Sequence, residues 1–330
     1  MPTASPVIPP AVSVVVPLYN KRATIGRTIE SILAQGWTDF ELLVVDDGST
    51  DGGPAFVEAT YTDPRVRLHR QANAGPGAAR NHGLALTTGR YVTFLDADDA
   101  WRPQLLETAV AILDRHADCG AFTASFMLEP MAVDRWGLLA GYNFHEGPWR
   151  LGAEIPKSHL RHCLDAFHPT TTVYRREVIE AFGGFYTEER CTFGEDVYLW
   201  LQVMLHHGIY RHMTPLAHYH TEDSELGWGG RKGAFPIEPV LTHPEPIRAG
   251  CPPTLRDVLE LWLAQHAVRA AFMQLDRGDT ERAQWLVAHF PRSRAWPSDY
   301  LKLRLRLAMP GLWSFARQVS RAKARGATSR

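Results

Sequence analysis

Long apolar runs are missing from this chain. No stretch approaches the roughly 20 residues that cross a bilayer as a helix, so an α-helical span within it is excluded. The first ten residues, MPTASPVIPP, lack the basic start and apolar core of a secretory signal. Cysteine is scarce: Cys119, Cys163, Cys191 and Cys251 are scattered and form no CxxC pair. That fits a reducing compartment better than a disulfide framework. An excess of charge of one sign is also missing, with 35 Lys and Arg against 36 Asp and Glu. The net charge of -1 gives no field for global nucleic-acid binding. There is no internal repeat. The expectation is a cytoplasmic protein, able at most to rest on the inner face of the cytoplasmic membrane.

The composition is ordinary for a globular fold: 330 residues, 45% hydrophobic and 22% charged. Residues 1–11 read as a flexible lead. Val12 to Pro17 is a short β-branched run, of the kind found in strands buried on both faces. Thr24 to Gln35 has helical spacing, with Gly36 as its stop. Phe40 to Val45 reads as a second strand, 54–60 as a short helix and Val66 to His69 as a third strand. Gly75 to Leu86 enters a helix, Tyr91 to Leu95 is a fourth strand, and Pro103 to His116 a further helix. This alternation predicts an α/β fold with a mostly parallel sheet flanked by helices. From about residue 121 the pattern loses its period and reads as loops and short strands. Helices are expected over 176–182 and 196–206, a Gly/Pro-rich loop over 222–253, and two helices over 254–289 broken at Gly278-Asp279.

Ligands of such sheets bind at the carboxyl ends of the strands. Three polar clusters fall there: Pro17-Leu18-Tyr19-Asn20, Asp46-Asp47 and Asp96-Ala97-Asp98-Asp99. Carboxylates crowded at the end of a buried strand repel one another and lose solvation. A divalent cation with hard oxygen ligands offsets that cost, which implies a phosphate-bearing substrate. No GxGxxG follows the first strand, which argues against a dinucleotide oxidoreductase.

These motifs in order carry a resemblance. Val14 to Asn20, Val45 to Asp51, Asn73 to Gly83, Phe94 to Asp99, Gly183-Gly184-Phe185 and Gly194-Glu195-Asp196 together resemble family 2 glycosyltransferases of the GT-A fold, over roughly residues 12 to 222. The resemblance implies a GT-A domain over 12–222, with a nucleotide-binding half (12–120) and an acceptor half (121–222). The loop 223–253 and a helical extension with a basic tail (254–330) follow. It implies an inverting hexosyltransferase that moves one sugar from a nucleoside diphosphate donor, UDP above all, to a glycan, lipid-linked or small acceptor, in surface polysaccharide or glycoconjugate synthesis. Pro17, Tyr19 and Asn20 would frame the base, and Asp47 would accept its imide N–H, helped by Asp46. Arg80 would lie near the diphosphate or base, and Asp96 and Ala97 by the ribose. Asp98 would ligate Mn2+ or Mg2+. Asp196 would be the general base, and Glu195 would position the acceptor or its loop. The family's late metal-binding His is matched by Ala217-His218-Tyr219-His220, without the usual Arg. His220 is the expected third ligand and His218 the alternative. The Gln-x-x-Arg-Trp motif of processive synthases is absent, which favours one sugar per encounter.

Each motif also has a purely structural reading. Asp96 to Asp99 would cap the helix near Pro103, Asp46 to Ser49 would be only a turn, and Asn73 to Gly83 a small-residue helix entry. Arg80 would be an ion pair, and Glu195-Asp196 a helix start favoured by the macrodipole. His206, His207, His212 and His218 read as packing or surface groups, and Cys191 as a small buried residue. Trp136, Trp149 and Trp228 suit either acceptor stacking or packing. A nucleotidyltransferase would need a Gly-rich basic loop after the first strand, which is absent. A non-catalytic nucleotide- or carbohydrate-binding module would not need Asp98 and Asp196. In 301–330 there are eight Lys or Arg and no acid. With Leu312, Phe315, Ala316 and Val319 on one helical face, this predicts contact with an anionic membrane.

Overall fold

A computed structural model describes residues 9–142, 145–224 and 236–309. In chain order the elements begin with β1 (Val12–Leu18), α1 (Ile25–Leu33), β2 (Phe40–Asp46), α2 (Gly53–Thr60) and β3 (Val66–Arg70). Then come α3 (Pro76–Leu86), β4 (Tyr91–Phe94), β5 (Ala100–Trp101), α4 (Leu105–Arg115), β6 (Cys119–Glu129) and β7 (Val133–Asp134). β8 (Gly147–Trp149), α5 (Lys157–Leu160), β9 (Thr172–Arg175), α6 (Arg176–Ala181), α7 (Glu195–His206) and β10 (Gly208–His220) follow. The described chain closes with α8 (Pro239–Thr242), α9 (Glu245–Gly250), α10 (Arg256–Asp276), α11 (Thr280–His289) and α12 (Pro297–Ala308).

One sheet runs β3-β2-β1-β4-β9-β6-β10-β5, with β7 on β6 and β8 on β10. β3, β2, β1 and β4 are parallel neighbours, as are β6 and β10; β9 lies antiparallel between the two blocks. β1 is buried along most of its length, which explains a run without alternation. Chain order reverses at β1, which leads to β2 on one side and β4 on the other. The carboxyl edge beside it is the natural ligand crevice of an open α/β sheet.

α1 covers one face with Ile25, Ile29 and Ile32, each fully buried. Their i, i+4, i+7 spacing makes a single apolar stripe. Each such burial is worth about 1.5–3 kcal/mol. The helix stops at Leu33 rather than Gln35, because Gln35 turns to donate to the Ser31 and Arg102 carbonyls.

Beyond residue 120 the sequence reading needs correction. β6 is an eleven-residue strand and β10 a thirteen-residue one. β6 mixes Ala, Thr and Ser with its large apolar residues, β10 carries three His and a Pro, and the pair has register shifts, so neither shows a clean period of two. The stretch 222–253 contains α8 and α9, two short helices each with Pro in the first turn.

The described residues divide into two compact units, one reaching Leu255 and the other starting at Arg256. In the second, α10 and α11 are separated at Gly278 (φ +84°), and Asp279 caps α11 through the Arg282 amide at 3.0 Å. Trp296 donates from its indole N–H to the Leu261 carbonyl at 3.2 Å, joining the segment before α12 to α10. No described helix is long and apolar enough to cross a membrane.

Candidate functional site at the carboxyl edge of the sheet

The strand ends of β1, β2 and β4 bring the three polar clusters together. Tyr19 is 50% exposed just past β1. Asn20 adopts a left-handed conformation (φ 51°), which Asn tolerates better than most residues. Its backbone amide donates to Ser49 Oγ at 3.0 Å, and its Oδ1 accepts from the Thr50 amide at 2.8 Å. Asn20 thus ties the β1 loop to the β2 loop. Pro17 sits in register with Val45 inside the sheet.

Asp46 and Asp47 are both buried. Asp46 Oδ1 accepts from the Ser49 amide at 2.9 Å, closing the turn. Asp47 is more heavily used. Its Oδ1 accepts from the Ala74 amide and Gln71 Nε2, both at 2.8 Å, and its Oδ2 from the Gly75 amide at 2.9 Å. The carboxylate braces the loop that enters α3, and only part of Oδ2 is left for a base N–H.

α3 delivers Arg80 into the site. The helix comes close to its neighbours because two glycines let it. A Cβ on Gly83 would stand 2.3 Å from Val15 Cγ1, and one on Gly77 would stand 2.7 Å from the Tyr186 carbonyl oxygen. Buried Arg80 donates from Nη2 to Asp96 Oδ1 at 2.7 Å and from Nη1 to Glu195 Oε1 at 2.9 Å. Its guanidinium lies 5.1 Å from the Phe185 ring centroid. Burial alone would lower its pKa; Asp96, Glu195 and Asp196 outweigh burial and raise it. It stays a cation. Its Nε is buried without a hydrogen-bond partner.

The acids of the 96–99 turn separate in role. Asp96 is the most open of the three. Asp98 meets Lys21 Nζ at 3.0 Å. Burial and the Asp96 charge raise its pKa, against the pull of Lys21. Asp99 is fully buried, accepting from the Thr170 hydroxyl and, at 3.0 Å, from the His220 amide. Burial and its two acidic neighbours hold its pKa well above the usual carboxylate range. The capping reading of this turn does not hold: α4 starts at Leu105 behind Gln104, with no side-chain cap. Ala97 takes part through its carbonyl, which accepts from Thr24 Oγ1 at 2.8 Å.

α7 opens at Gly194 (φ +78°) and presents Glu195 and Asp196 in its first turn. Asp196 Oδ1 accepts from the Val197 amide at 2.7 Å. Burial and the Glu195 charge push Asp196 up to about 8, with Arg80 opposing. A half-buried carboxyl with that affinity for protons is a competent base near neutral pH. Glu195 points into Arg80, so its nearest task in the structure is holding the guanidinium.

β10 brings the late histidines. His218 Nδ1 is 2.8 Å from Glu129 Oε1, and its Nε2 accepts from Arg102 Nε at 3.5 Å, so both ring nitrogens are engaged. His220 lies beside Asp99, with Nδ1 3.0 Å from Glu222 Oε1. His220, Glu222 and Asp223 offer ligand atoms within 4.8 Å of one another. One ammonium, Lys21 Nζ, reaches both Asp98 and the Asp223 carbonyl. The donor set is carboxylate, carbonyl and imidazole around Asp98 and Asp99, whose pKa values are raised by burial first and by acidic neighbours second. That chemistry fits a divalent cation.

Three residues here were not singled out from sequence. Lys21 and Arg27 tie the 221–223 turn to the 96–99 turn, Arg27 through Asp223 Oδ2 at 2.9 Å and the Asp98 carbonyl. His168 packs against Phe126 with the rings tilted by 38° (4.5 Å between centroids) and meets Tyr219 edge-on (4.9 Å). Its Nδ1 accepts from the Thr170 amide at 3.3 Å. Burial, against Asp96 and with help from Arg80 and Arg135, lowers its pKa to about 4, so the ring is neutral. The only sequence signal for Lys21 and Arg27 is two bases just past a strand end; for His168 there is none.

Among the tryptophans, Trp136 is fully buried and cannot stack on an acceptor. Trp149 lies under Arg211, and Trp228 lies outside the described residues. His212 pairs with Glu146 at 3.0 Å, and His206 and His207 lie against Phe182.

A mixed sheet with this order and this acidic carboxyl edge is of the GT-A type. The Glycosyl transferase family 2 model matches residues 13–183, and the chain belongs to that family. The succinoglycan biosynthesis protein ExoO of Rhizobium meliloti is 44% identical over 126 residues, which is 38% of this chain and 35% of that protein. The putative glycosyltransferase EpsE of Bacillus subtilis is 29% identical over 196 residues, 58% of this chain and 66% of EpsE. The chain spans about a third of the length of the first curated relatives it matches, for example 29% of YibD of Escherichia coli. The fold is shared with S. aureus TarS 1–349 solved with UDP-GlcNAc, at TM-score 0.62 and 19% identity over 86% of this chain and 82% of that one.

Proposed function

We propose that this chain is a metal-dependent, inverting glycosyltransferase acting once per encounter. It transfers a hexosyl group from a nucleoside diphosphate donor, UDP first, to a hydroxyl of a glycan, lipid-linked or small acceptor in polysaccharide synthesis. The observation that carries this reading is the Arg80 bridge between Asp96 and Glu195, one residue from a carboxyl held near 8. It joins a donor-side group to a base-side helix through one fixed cation.

Tyr19 frames the base, and Asp47 sets the loop beneath it and offers its remaining lone pair. Asp96 faces the ribose, and Arg80 supplies positive field to the diphosphate. Asp98 and His220 would hold Mn2+ or Mg2+; when bound, the ion offsets charge on the leaving diphosphate. His218 is the weaker candidate, since both its nitrogens are engaged. Asp196 removes the acceptor proton as that oxygen attacks the anomeric carbon from the face opposite the leaving group. The relatives support the setting: two are named for succinoglycan and teichuronic acid biosynthesis. A mannosyltransferase of Pyrobaculum calidifontis (TM-score 0.50, 22% identity) was solved with GDP-Man and Mn2+. A peripheral position at the cytoplasmic membrane through 301–330 fits the exposed Leu301, Leu305 and Met309 at the end of α12; residues 310–330 lie outside the described residues.

The test is a thermal-shift panel of nucleoside diphosphates with and without Mn2+. A metal-dependent rise with UDP is expected; no rise with any nucleotide removes the donor-site reading.

A further inference from the structure

A relay of three side chains runs from α3 to the carboxylate beneath the base. His82 Nδ1 lies 2.7 Å from Gln71 Oε1, and Gln71 Nε2 lies 2.8 Å from Asp47 Oδ1. Its direction follows from the Asp47 end. A carboxylate oxygen accepts, so the Gln71 end that faces Asp47 is the NH2 group. The end that faces His82 is then the carbonyl oxygen, which also accepts. Nδ1 of His82 therefore carries a proton and is the donor.

Three elements hold the relay. Gln71 follows β3, and its backbone amide donates to the Asp46 carbonyl at 2.9 Å. His82 sits on α3, two residues after Arg80, and two such helical positions face roughly 200° apart. Arg80 turns toward Asp96 and Glu195, and His82 turns toward β3. There its ring meets the His69 ring edge-on, with 4.4 Å between centroids. His69 is in register with Val45 of β2, the strand that ends at Asp46.

Asp47 needs such a clamp. The Ala74 amide and Gln71 occupy Oδ1, and the Gly75 amide takes one lone pair of Oδ2. The other Oδ2 lone pair keeps one direction only while all three donors stay in place. Two of them are backbone groups. The third, Gln71, is a long, half-buried side chain whose rotamer freedom opposes a fixed position. His82 fixes its far end. We infer that His82 is a positioning residue for base recognition: through Gln71 it holds Asp47 in the plane from which Oδ2 accepts the ring N–H of a uracil or guanine base. The inference rests on Asp47 reading the base, as proposed above. One helix then aligns both ends of the donor, the diphosphate through Arg80 and the base through His82.

Isothermal titration of the full chain with UDP, GDP, CDP and pyrophosphate, each with Mn2+, tests this. Uracil and guanine present a ring N–H where cytosine presents a bare nitrogen. The affinity for the better of UDP and GDP, divided by that for CDP, therefore measures how Asp47 is set. His82→Phe keeps a ring against His69 and removes the donor. It should lower that ratio about three- to tenfold, the size of one neutral hydrogen bond. Pyrophosphate affinity should not change, since Arg80 stays where it is. His82→Asn bears a nitrogen donor on the same carbon, Cγ, and should recover most of the ratio. An unchanged ratio in His82→Phe would overturn the inference and leave the base reading intact. So would no recovery in His82→Asn, or an equal loss of pyrophosphate affinity, which would mean that α3 itself has moved. A wild-type protein that binds CDP as well as UDP and GDP removes the base reading, and the inference with it. If His82→Phe does not fold, Gln71→Leu decides by the same ratio: a fall supports the clamp, and no change removes it.

Discussion

Arg80 and Glu195 meet at 2.9 Å across 115 residues of sequence, and both are buried. Through this pair the entry of α3, which belongs to the parallel half of the sheet, holds the first turn of α7. Arg80 also holds Asp96, so one side chain sets the spacing between the strand β4 turn and Asp196.

Breaking that pair from one side should be costly. Arg80→Met strands Glu195 as a buried carboxylate, and such losses run to about 3–5 kcal/mol. The double variant Arg80→Met/Glu195→Gln should recover more than 1 kcal/mol relative to the sum of the singles. Chemical denaturation of the four proteins measures this; additive effects would mean the contact is not energetically coupled.

Asp196→Asn should retain UDP binding while turnover falls about 10²–10⁴-fold. A base must be deprotonated to act. The wild-type rate should therefore rise with pH through about 8, the value to which burial and Glu195 push this carboxyl. A rate that is flat between pH 6 and 9 assigns the proton transfer to another group.

Asp99 offers a stability test with a definite sign. Its folded pKa lies above the unfolded value of about 3.9, so the native state binds protons more tightly. Stability from this group is present at low pH and is lost as pH rises from the unfolded value through the folded one. Asp99→Asn should flatten that dependence and leave the melting point at pH 7.5 unchanged or higher. An amide can still accept from the His220 N–H while donating to Thr170. A fall of several degrees would show that the charge itself is needed.

His220→Ala should abolish the extra melting-point rise that Mn2+ adds to UDP, and His218→Ala should keep it. The reverse pattern moves the third ligand to His218, despite its contacts with Glu129 and Arg102.

His168 gives an acid-side counterpart. Its pKa falls to about 4 in the fold. The unfolded chain takes up its proton near 6.5, so stability is lost as pH drops from about 6.5 to 4. At 1.36 kcal/mol per pKa unit the loss is roughly 3 kcal/mol at most. His168→Phe should remove that part of the acid sensitivity in pH-dependent melting.

The first, parallel half of the fold was open to reading because its strands are short, mostly buried and separated by helices. Val12 to Leu18 and Phe40 to Asp46 leave little choice once their ends carry acids. β6 and β10 gave no such signal. Their buried positions hold Ala, Thr, Ser and Arg as well as large apolar groups, and β10 slips register at Met213 to Leu216. The grouping of Tyr19, Asp47 and Asp98 at one edge follows from strand polarity alone. The Arg80–Glu195 bridge does not, since its partners come from opposite halves of the domain and neither sequence neighbourhood names the other. Lys21 and Arg27 were missed for a related reason: loop bases acquire meaning only when a distant turn, here 221–223, is folded over them.

Gly77 and Gly83 bracket Arg80 on α3, three residues to either side. One touches the Tyr186 carbonyl and the Glu195 side chain; the other lies against Val15. The helix is seated by bare backbone at both points, like a shim between two hard surfaces. Position along its axis is then fixed by main-chain atoms, which have no rotamers to change. Mutations elsewhere on α3 can alter its solubility or charge and leave the guanidinium where it is. The accuracy of the charged bridge rests on two side chains that are not there.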